Sequence, residues 1–340
     1  MCEAISWLRS FAFSPMLVTA IITTFNRPIL VRRAIKSVVV QTYEPLEVIV
    51  VEDGSEVGLE GWLRSERLDR VQYVRHKENR GLAAARNTGL QVADGLYVAF
   101  LDDDDEWKNC FIAKLVEQLA ALPSEELEQV GVAYCGTEVR HPSKSNFAIA
   151  MPRNRGNLRE AIVREGARTL SSTALFSRDA LEAVGGFDET LPSSIDHDIW
   201  MSLAANGYYA HSLNEPLAIT YRNSSGRMTT DTALRICGVR MYVEKWQPTY
   251  EVWFGREAGI VYAQRYFARV VGILAATHVV HGKLANGWQA IRAIFEYGGQ
   301  PGYKVYTLAK YIVWFAAQRV LPPNVTDRLL ALRRTLGIKV

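Results

Sequence analysis

Apolar runs in the first half of the chain alternate with amphipathic segments. Runs such as LVTAIITTF (17–25) and LYVAFL (96–101) are apolar on both faces, which is typical of strands that are covered on both sides of a sheet. The segments between the runs repeat apolar residues at helical spacing, and Pro28 stands in the first turn of one such helix, where proline is tolerated. This alternation predicts a mostly parallel sheet covered by helices, an α/β sandwich.

The boundaries of these elements follow from the same pattern. Strand signals end by about Thr229, and the remaining chain has helical periodicity apart from a glycine-rich break at 298–302. Strands are predicted at 17–25, 46–55, 71–76, 96–101 and 130–135, and helices from Pro28, near 58–67, at 81–93, from Trp107, at 157–166, near Asp196, and at 230–298, 303–320 and 325–336.

Composition adds little, but the distribution of charge is uneven. The 340 residues carry a net charge of +3, whereas the segment from Tyr303 to the end has seven Lys or Arg against the single acid Asp327, a net charge of +6. A basic segment of this kind indicates an anionic partner. The four cysteines form no CxxC or Cys/His pattern, so we expect reduced thiols in a cytosolic protein.

Four consecutive aspartates, Asp102 to Asp105, follow the apolar run YVAFL. Side chains two residues apart on an extended backbone point the same way, so Asp102 and Asp104 are expected to converge while Asp103 points aside. Asp105 is placed to cap the following helix. Converging carboxylates favour a divalent cation with oxygen ligands, Mg²⁺ or Mn²⁺. The alternative is a solvated acidic loop with a helix cap.

Polar residues also follow the other predicted strands, where ligands bind in open α/β sheets. FNRP (25–28) offers an aromatic face and a cation, VVEDGS (50–55) offers a carboxylate before a turn, and NRGLAAARN (79–87) places two arginines about a helix N-terminus. Each segment alone is equally compatible with an ordinary turn or helix start.

Five ordered blocks, VTAIITTFNRP, LEVIVVEDGS, NRGLAAARNTGL, YVAFLDDDDEW and GGFDETL…DHDIW, resemble the family 2 glycosyltransferases over about residues 17–225. The resemblance implies a GT-A fold, that is, a three-layer α/β/α sandwich with a mostly parallel sheet, followed here by an all-helical C-terminal region. It implies an N-terminal extension (1–15), a catalytic domain (16–228, with a nucleotide-binding half 16–135 and an acceptor half 136–228) and a helical region (229–340).

The resemblance also implies a donor site and a metal site. Phe25 matches a residue that stacks on the nucleotide base, Asp53 matches one that binds a base N–H, and Asp104 matches the ligand of the Mn²⁺ or Mg²⁺ that bridges the diphosphate. The implied donor-binding residues are Thr23, Phe25, Arg27, Asp53, Arg86, Asp102 and Asp103, and the implied metal ligands are Asp102 and Asp104.

SSIDHDIW (193–200) supplies the implied general base, Asp196, with His197 and Asp198 as acceptor contacts. Helix capping by the two aspartates is the alternative. Three departures stand out: Ile195 replaces the family's usual Glu, Glu52 stands where Asp is usual, and no histidine occurs near YRNSSGRMT (221–229). The residues that could substitute for that histidine are Arg222, Asn223 and Arg227.

The C-terminal segment alternates aromatic and aliphatic residues with basic ones. Such a segment can lie in the headgroup layer of a membrane without spanning it, or it can pack on the rest of the chain with its cations solvated. The basic residues concerned are Lys304, Lys310, Arg319, Arg328, Arg333 and Arg334.

These observations predict a metal-dependent inverting hexosyltransferase that moves one sugar from a nucleotide-diphosphate sugar, UDP being favoured, to a saccharide acceptor. A lipid-linked acceptor of surface polysaccharide synthesis fits the resemblance, and nucleic acid is not expected as a partner. Processive polysaccharide synthases carry a QxxRW motif and several membrane spans. This sequence has neither, so the addition of a single sugar is favoured. We expect a cytoplasmic protein that can contact the membrane peripherally. The competing hypotheses are a nucleotidyltransferase and a catalytically degenerate scaffold.

Overall fold

The structure, a computed structural model, describes residues 16–141, 147–152, 155–165, 170–221 and 231–320. These residues form two compact units: a sheet unit (16–191 and 195–221) and a helical unit (192–194 and 231–320). The predicted domain boundary at residue 228 falls between the described parts of the two units and stays a prediction. The predicted helix 325–336 and the residues Arg222, Asn223, Arg227, Arg328, Arg333 and Arg334 lie outside the described ranges.

The sheet unit is built on one large, mostly parallel sheet with the strand order β3-β2-β1-β4-β9-β6-β10-β5, to which β7 and β8 add at β6 and β10. The first four strands in this order are parallel, β6 is parallel to β10, and β9 runs antiparallel to both β4 and β6. The strands are β1 (Val18–Thr24), β2 (Leu46–Glu52), β3 (Val71–Arg75), β4 (Tyr97–Asp102), β5 (Glu106–Trp107), β6 (Val130–Arg140), β7 (Ala148–Ala150), β8 (Gly156–Asn157), β9 (Ala174–Ser177) and β10 (Tyr209–Tyr221).

Helices cover both faces of this sheet, as predicted. Ala20 and Ile22 of β1 pack into one core with α1 and α4, while Ile21 faces α3 on the other side. A Cβ at Gly89 of α3 would lie 2.5 Å from Ile21 Cγ2, so this close packing requires glycine. The helices are α1 (Pro28–Val39), α2 (Glu60–Ser65), α3 (Leu82–Gln91), α4 (Phe111–Ala120), α5 (Ser124–Leu127), α6 (Leu158–Glu165), α7 (Arg178–Ala183) and α8 (Ile195–Ala205), with a 3-10 turn at Ser171–Thr173.

The helical unit contains four long helices, and the predicted glycine-rich break separates the last two. Asp231 caps the first of them by accepting a hydrogen bond from Leu234 N at 2.9 Å. Within the described ranges, every helix is too short or too polar to cross a lipid bilayer. The helices are α9 (Thr232–Phe254), α10 (Arg256–Val280), α11 (Leu284–Glu296) and α12 (Pro301–Val320).

Three expectations differ from the structure. The strand β10 (Tyr209–Tyr221) was not predicted, because Pro216 and its polar neighbours interrupt the alternation where the pairing with β6 shifts register. The helix expected from Trp107 begins at Phe111, since Glu106–Trp107 instead pair antiparallel with β10. Of the cysteines in the described ranges, Cys135 and Cys237 are free thiols whereas Cys110 is disulfide-bonded, so the expectation of reduced cysteines is wrong there.

Candidate active site

The carboxyl ends of the parallel strands meet at one edge of the sheet. Thr24 at the end of β1 pairs with Glu52 at the end of β2, and Thr23 pairs with Asp102 at the end of β4. Because β9 runs in the opposite direction, its amino end reaches the same edge, where Ser172 Oγ accepts a hydrogen bond from Asp102 N at 3.2 Å. Residues from distant parts of the sequence therefore converge here.

The side chains of three of the four consecutive aspartates form one cluster, called the acidic group below. Ligand oxygens of Asp102, Asp104 and Asp105 all lie within 4.8 Å of one another. Asp103 points aside, accepting hydrogen bonds of 2.8 Å from Thr24 Oγ1 and from Arg27 Nη1. The predicted convergence of Asp102 and Asp104 is confirmed, whereas the prediction of Asp105 as a helix cap is wrong, because the next helix begins only at Phe111.

Two residues that sequence reasoning missed hold the acidic turn in place. Arg33 of α1 donates to the Asp104 carbonyl at 2.8 Å and pairs with Glu106 at 3.1 Å. Tyr221 at the end of β10 donates its backbone N–H to Asp105 Oδ1 at 3.3 Å and its hydroxyl to Glu106 at 2.5 Å. The Arg33 guanidinium also lies 3.9 Å from the Tyr221 ring centroid. The turn is thus fixed from α1 and from β10.

Burial, together with neighbouring carboxylates, raises the pKa values of two of the four aspartates. Burial raises the pKa of Asp102, and the charges of Asp196 and Asp104 raise it further against the opposing charge of Arg86. Burial likewise raises the pKa of Asp103 to about 6, although Arg27 and Thr24 oppose the shift. A cation among these oxygens would relieve the repulsion and favour the ionised forms.

Arg86 connects the acidic group to the predicted base. It is fully buried, and its Nη2 donates to Asp102 Oδ1 at 2.8 Å while its Nη1 donates to Asp196 Oδ1 at 2.7 Å. Its burial leaves no surface for direct contact with a donor, so the predicted donor contact at Arg86 is not supported by the geometry. We expect Arg86 to act through the two carboxylates that it binds.

Asp196 is held ionised but remains accessible. Burial alone would raise its pKa, but the charge of Arg86 and hydrogen bonds from Ser171 and Arg86 outweigh that effect and place the pKa below its usual value. Ser171 Oγ donates to Asp196 Oδ1 at 2.5 Å. The side chains of Asp196 and Asp102 are 28% and 34% exposed, so both can contact a ligand.

The other predicted donor residues lie at the same edge. Asp53 is buried and accepts from Arg80 N and Gly81 N, each at 2.8 Å, and contacts His76 Nδ1 at 2.7 Å. Its carboxylate therefore orders the loop that leads into α3. Phe25 is partly exposed at the end of β1, whereas Thr23 is buried. A role of these residues in binding a nucleotide base stays a prediction.

The predicted acceptor contacts, His197 and Asp198, follow Asp196 on α8. Asp198 is buried within the sheet unit, and His197 is partly exposed. Burial of Asp198 favours a structural role over contact with an acceptor, while His197 retains the predicted position beside the base.

The residues present fit a small divalent cation. Asp102, Asp104 and Asp105 offer only oxygen atoms, the ligand type that Mg²⁺ and Mn²⁺ prefer, and the last two are buried where uncompensated charge is costly.

Comparison with known proteins gives matches of sequence and of structure. The sequence profile described as "Glycosyl transferase family 2" matches residues 19–185. The teichuronic acid biosynthesis glycosyltransferase TuaG of Bacillus subtilis (strain 168) is 28% identical over 250 residues, which cover 70% of this chain and 86% of that protein.

Two solved structures share the architecture. The mannosyltransferase PcManGT from Pyrobaculum calidifontis, in complex with GDP-Man and Mn²⁺, superimposes with a TM-score of 0.54 at 21% identity and covers 89% of this chain and 86% of its own. S. aureus TarS 1–349 in complex with UDP-GlcNAc gives a TM-score of 0.53 at 15% identity, with 89% and 92% covered. The predicted fold class, mixed α/β with a mostly parallel sheet and a helical C-terminal region, is confirmed.

Proposed function

Because residues 19–185 belong to glycosyl transferase family 2, we propose that this chain is a metal-dependent, inverting glycosyltransferase. It transfers a single sugar from a nucleotide-diphosphate sugar to the hydroxyl of a saccharide acceptor. The observation that carries the proposal is the bridge made by Arg86, whose two terminal nitrogens bind a carboxylate of the acidic group at 2.8 Å and Asp196 at 2.7 Å. The bridge supports the proposal that the acidic group, on the donor side, and Asp196, the base, belong to one reaction centre.

The proposed mechanism assigns a task to each side. Asp102, Asp104 and Asp105 would hold Mn²⁺ or Mg²⁺, which when bound neutralises charge on the departing nucleoside diphosphate. Asp196, ionised beside Arg86, accepts the proton of the acceptor hydroxyl as that oxygen attacks the anomeric carbon. Attack on the face opposite the leaving group in a single displacement inverts the anomeric centre.

The names of related proteins support the choice of substrates. TuaG is named for teichuronic acid biosynthesis, which suggests a surface polysaccharide as the product here. PcManGT binds GDP-Man, whereas TarS binds UDP-GlcNAc. We propose UDP as the nucleotide, with exposed Phe25 stacking on the base, and a lipid-linked saccharide as the acceptor.

A nucleotide-sugar panel tests this proposal. The protein is incubated with UDP- and GDP-sugars in Mn²⁺, in Mg²⁺ and in EDTA, and release of the nucleoside diphosphate is measured together with thermal shift. We expect one nucleotide sugar to be hydrolysed, or its sugar to be transferred, when Mn²⁺ or Mg²⁺ is present. The same nucleotide sugar should remain intact in EDTA. Stabilisation by nucleoside triphosphates without sugar release would favour a nucleotidyltransferase, and the absence of any response would favour a non-catalytic scaffold.

Replacement of Asp196 by asparagine separates the base from the donor site. Asp196→Asn should reduce transfer by about a hundredfold or more, because the acceptor hydroxyl loses its base, while binding of the nucleotide with Mn²⁺ changes little. Activity and nucleotide affinity are measured on the same preparation. The matched control is Asp94→Asn, which removes an exposed carboxylate of the sheet unit and should leave both quantities unchanged. Loss of nucleotide binding together with activity would make Asp196 structural.

A further inference from the structure

The helical unit carries an exposed apolar stripe on α11. Leu284, Trp288 and Phe295 are four and seven positions apart, which places them on one face of the helix. All three are exposed, and the Trp288 side chain is 68% exposed. Ala290 and Ile294 are buried on the opposite side of the helix, while the outward side carries the three apolar residues together with the exposed Arg292–Glu296 ion pair.

A second apolar stripe runs along α12. Val305, Tyr306 and Val313 are exposed, Tyr306 to 60%, and Ala309 lies between them on the same face. The exposed face of a helix in water ordinarily carries charged residues. Here the four exposed residues of this face are all uncharged: Val305, Tyr306, Ala309 and Val313.

One lysine links the two helices that carry these stripes. Lys304 Nζ donates to the Phe295 carbonyl at 3.2 Å and lies 5.6 Å from the Phe295 ring centroid. Lys304 is therefore buried between α11 and α12, and it is not the solvated headgroup contact that its sequence position suggested. This contact holds Phe295 of the first stripe beside the first turn of α12, the helix that carries the second stripe, and the two stripes together are called the patch.

Positive charge accompanies this patch. Lys310 lies at its border, 5.8 Å from the Tyr306 ring centroid. The sequence from Tyr303 to the end has a net charge of +6, of which half lies within α12 and half follows it. Exposed tryptophan and tyrosine beside aliphatic residues and lysine are the composition of surfaces that rest in the interfacial layer of a membrane.

We propose that the patch formed by Leu284, Trp288, Phe295, Val305, Tyr306 and Val313 binds the surface of an anionic lipid bilayer. The aromatic and aliphatic side chains enter the headgroup region, and the basic C-terminal segment is attracted to the lipid charge. A second copy of the chain is the less favourable occupant, because a two-fold interface pairs a patch with itself and would bring the Lys310 side chains of the two copies to one interface.

Vesicle sedimentation tests the proposal with the full chain. Vesicles of phosphatidylcholine with and without phosphatidylglycerol are used at low and high salt. Wild-type protein should sediment with the phosphatidylglycerol vesicles and release at high salt. The double variant Trp288→Ser/Tyr306→Ser should bind about tenfold more weakly, since two interfacial anchors are lost. The triple variant Arg328→Gln/Arg333→Gln/Arg334→Gln should lose the preference for the anionic lipid.

Val252→Ser is the matched control, because Val252 is 78% exposed on α9 and lies outside the patch. Equal sedimentation of the double variant and the wild type, or no sedimentation of the wild type, would overturn the proposal. A dimer in sedimentation velocity that the double variant dissociates would overturn it in favour of a second copy. Asp104→Asn should bind vesicles normally, so failure of the proposed transfer chemistry remains distinguishable from failure of membrane binding.

Discussion

Replacement of Asp104 by asparagine will reduce metal-dependent sugar transfer by about a hundred- to a thousandfold. Asp104 is buried, its oxygen lies within 4.8 Å of those of Asp102 and Asp105, and the turn that carries it is fixed by Arg33. An amide keeps the size of the side chain but removes the charge that a cation requires. The loss should therefore appear both in activity and in the stabilisation that Mn²⁺ gives to the folded protein.

Thermal unfolding with and without Mn²⁺, together with turnover of the donor found in the panel, measures this result. Asp105→Asn tests the third carboxylate, whose loss should weaken Mn²⁺ binding with a smaller fall in turnover. The exposed carboxylate of Asp94 again supplies the control, since Asp94→Asn lies outside the acidic group. If Asp104→Asn retained full activity and full stabilisation by Mn²⁺, the assignment of the metal site would be wrong.

Replacement of Arg86 by lysine will both destabilise the fold and strongly reduce transfer. Arg86 is fully buried and binds two carboxylates at 2.8 and 2.7 Å, a geometry that the forked guanidinium permits and a single ammonium does not. One carboxylate would be left without its partner, and breaking such a buried pair costs about 3 kcal/mol. We also expect transfer to fall about a hundredfold, because Asp196 loses the group that orients it.

Urea unfolding reports the stability of Arg86→Lys, and donor turnover at a temperature where the variant is folded reports its activity. Arg64→Lys is the matched control, because Arg64 is exposed and its 3.8 Å pair with Glu60 lies at the helix surface, where such pairs contribute little. The assigned bridge would be refuted by a variant that keeps wild-type stability and turnover. If stability fell without any loss of turnover, Arg86 would be structural only.

The acidic group could be predicted from the sequence because its geometry is local. Parallel strands end at a common edge, which places Asp102 at the end of β4. A turn closed by the 3.0 Å hydrogen bond from Asp105 N to the Asp102 carbonyl, rather than an extended backbone, brings Asp102 and Asp104 together while Asp103 points to Thr24 and Arg27. Both features depend only on residues that are close in the sequence or on the direction of strands that the pattern already indicates.

The remaining site residues depend on pairings that no local rule specifies. Ser171 and Ser172 precede a strand, and they reach the site only because β9 runs antiparallel to its neighbours. Tyr221 ends β10, whose alternation is interrupted at Pro216. The prediction that Asp105 caps a helix is wrong because it also depends on such a pairing. The environment of Asp105 is set by the pairing of Glu106–Trp107 with β10.

The short strand β5 has a consequence for the choice of ion. Because Trp107 pairs with Ala218 of β10 and Arg33 binds the Asp104 carbonyl, the acidic turn has little freedom to widen. Mg²⁺ forms short oxygen bonds of about 2.0–2.1 Å, whereas those of Ca²⁺ are about 2.3–2.6 Å and call for more ligands. We therefore expect the β5–β10 pairing, by holding the turn that carries the proposed metal ligands, to favour a cation with short oxygen bonds over a larger one.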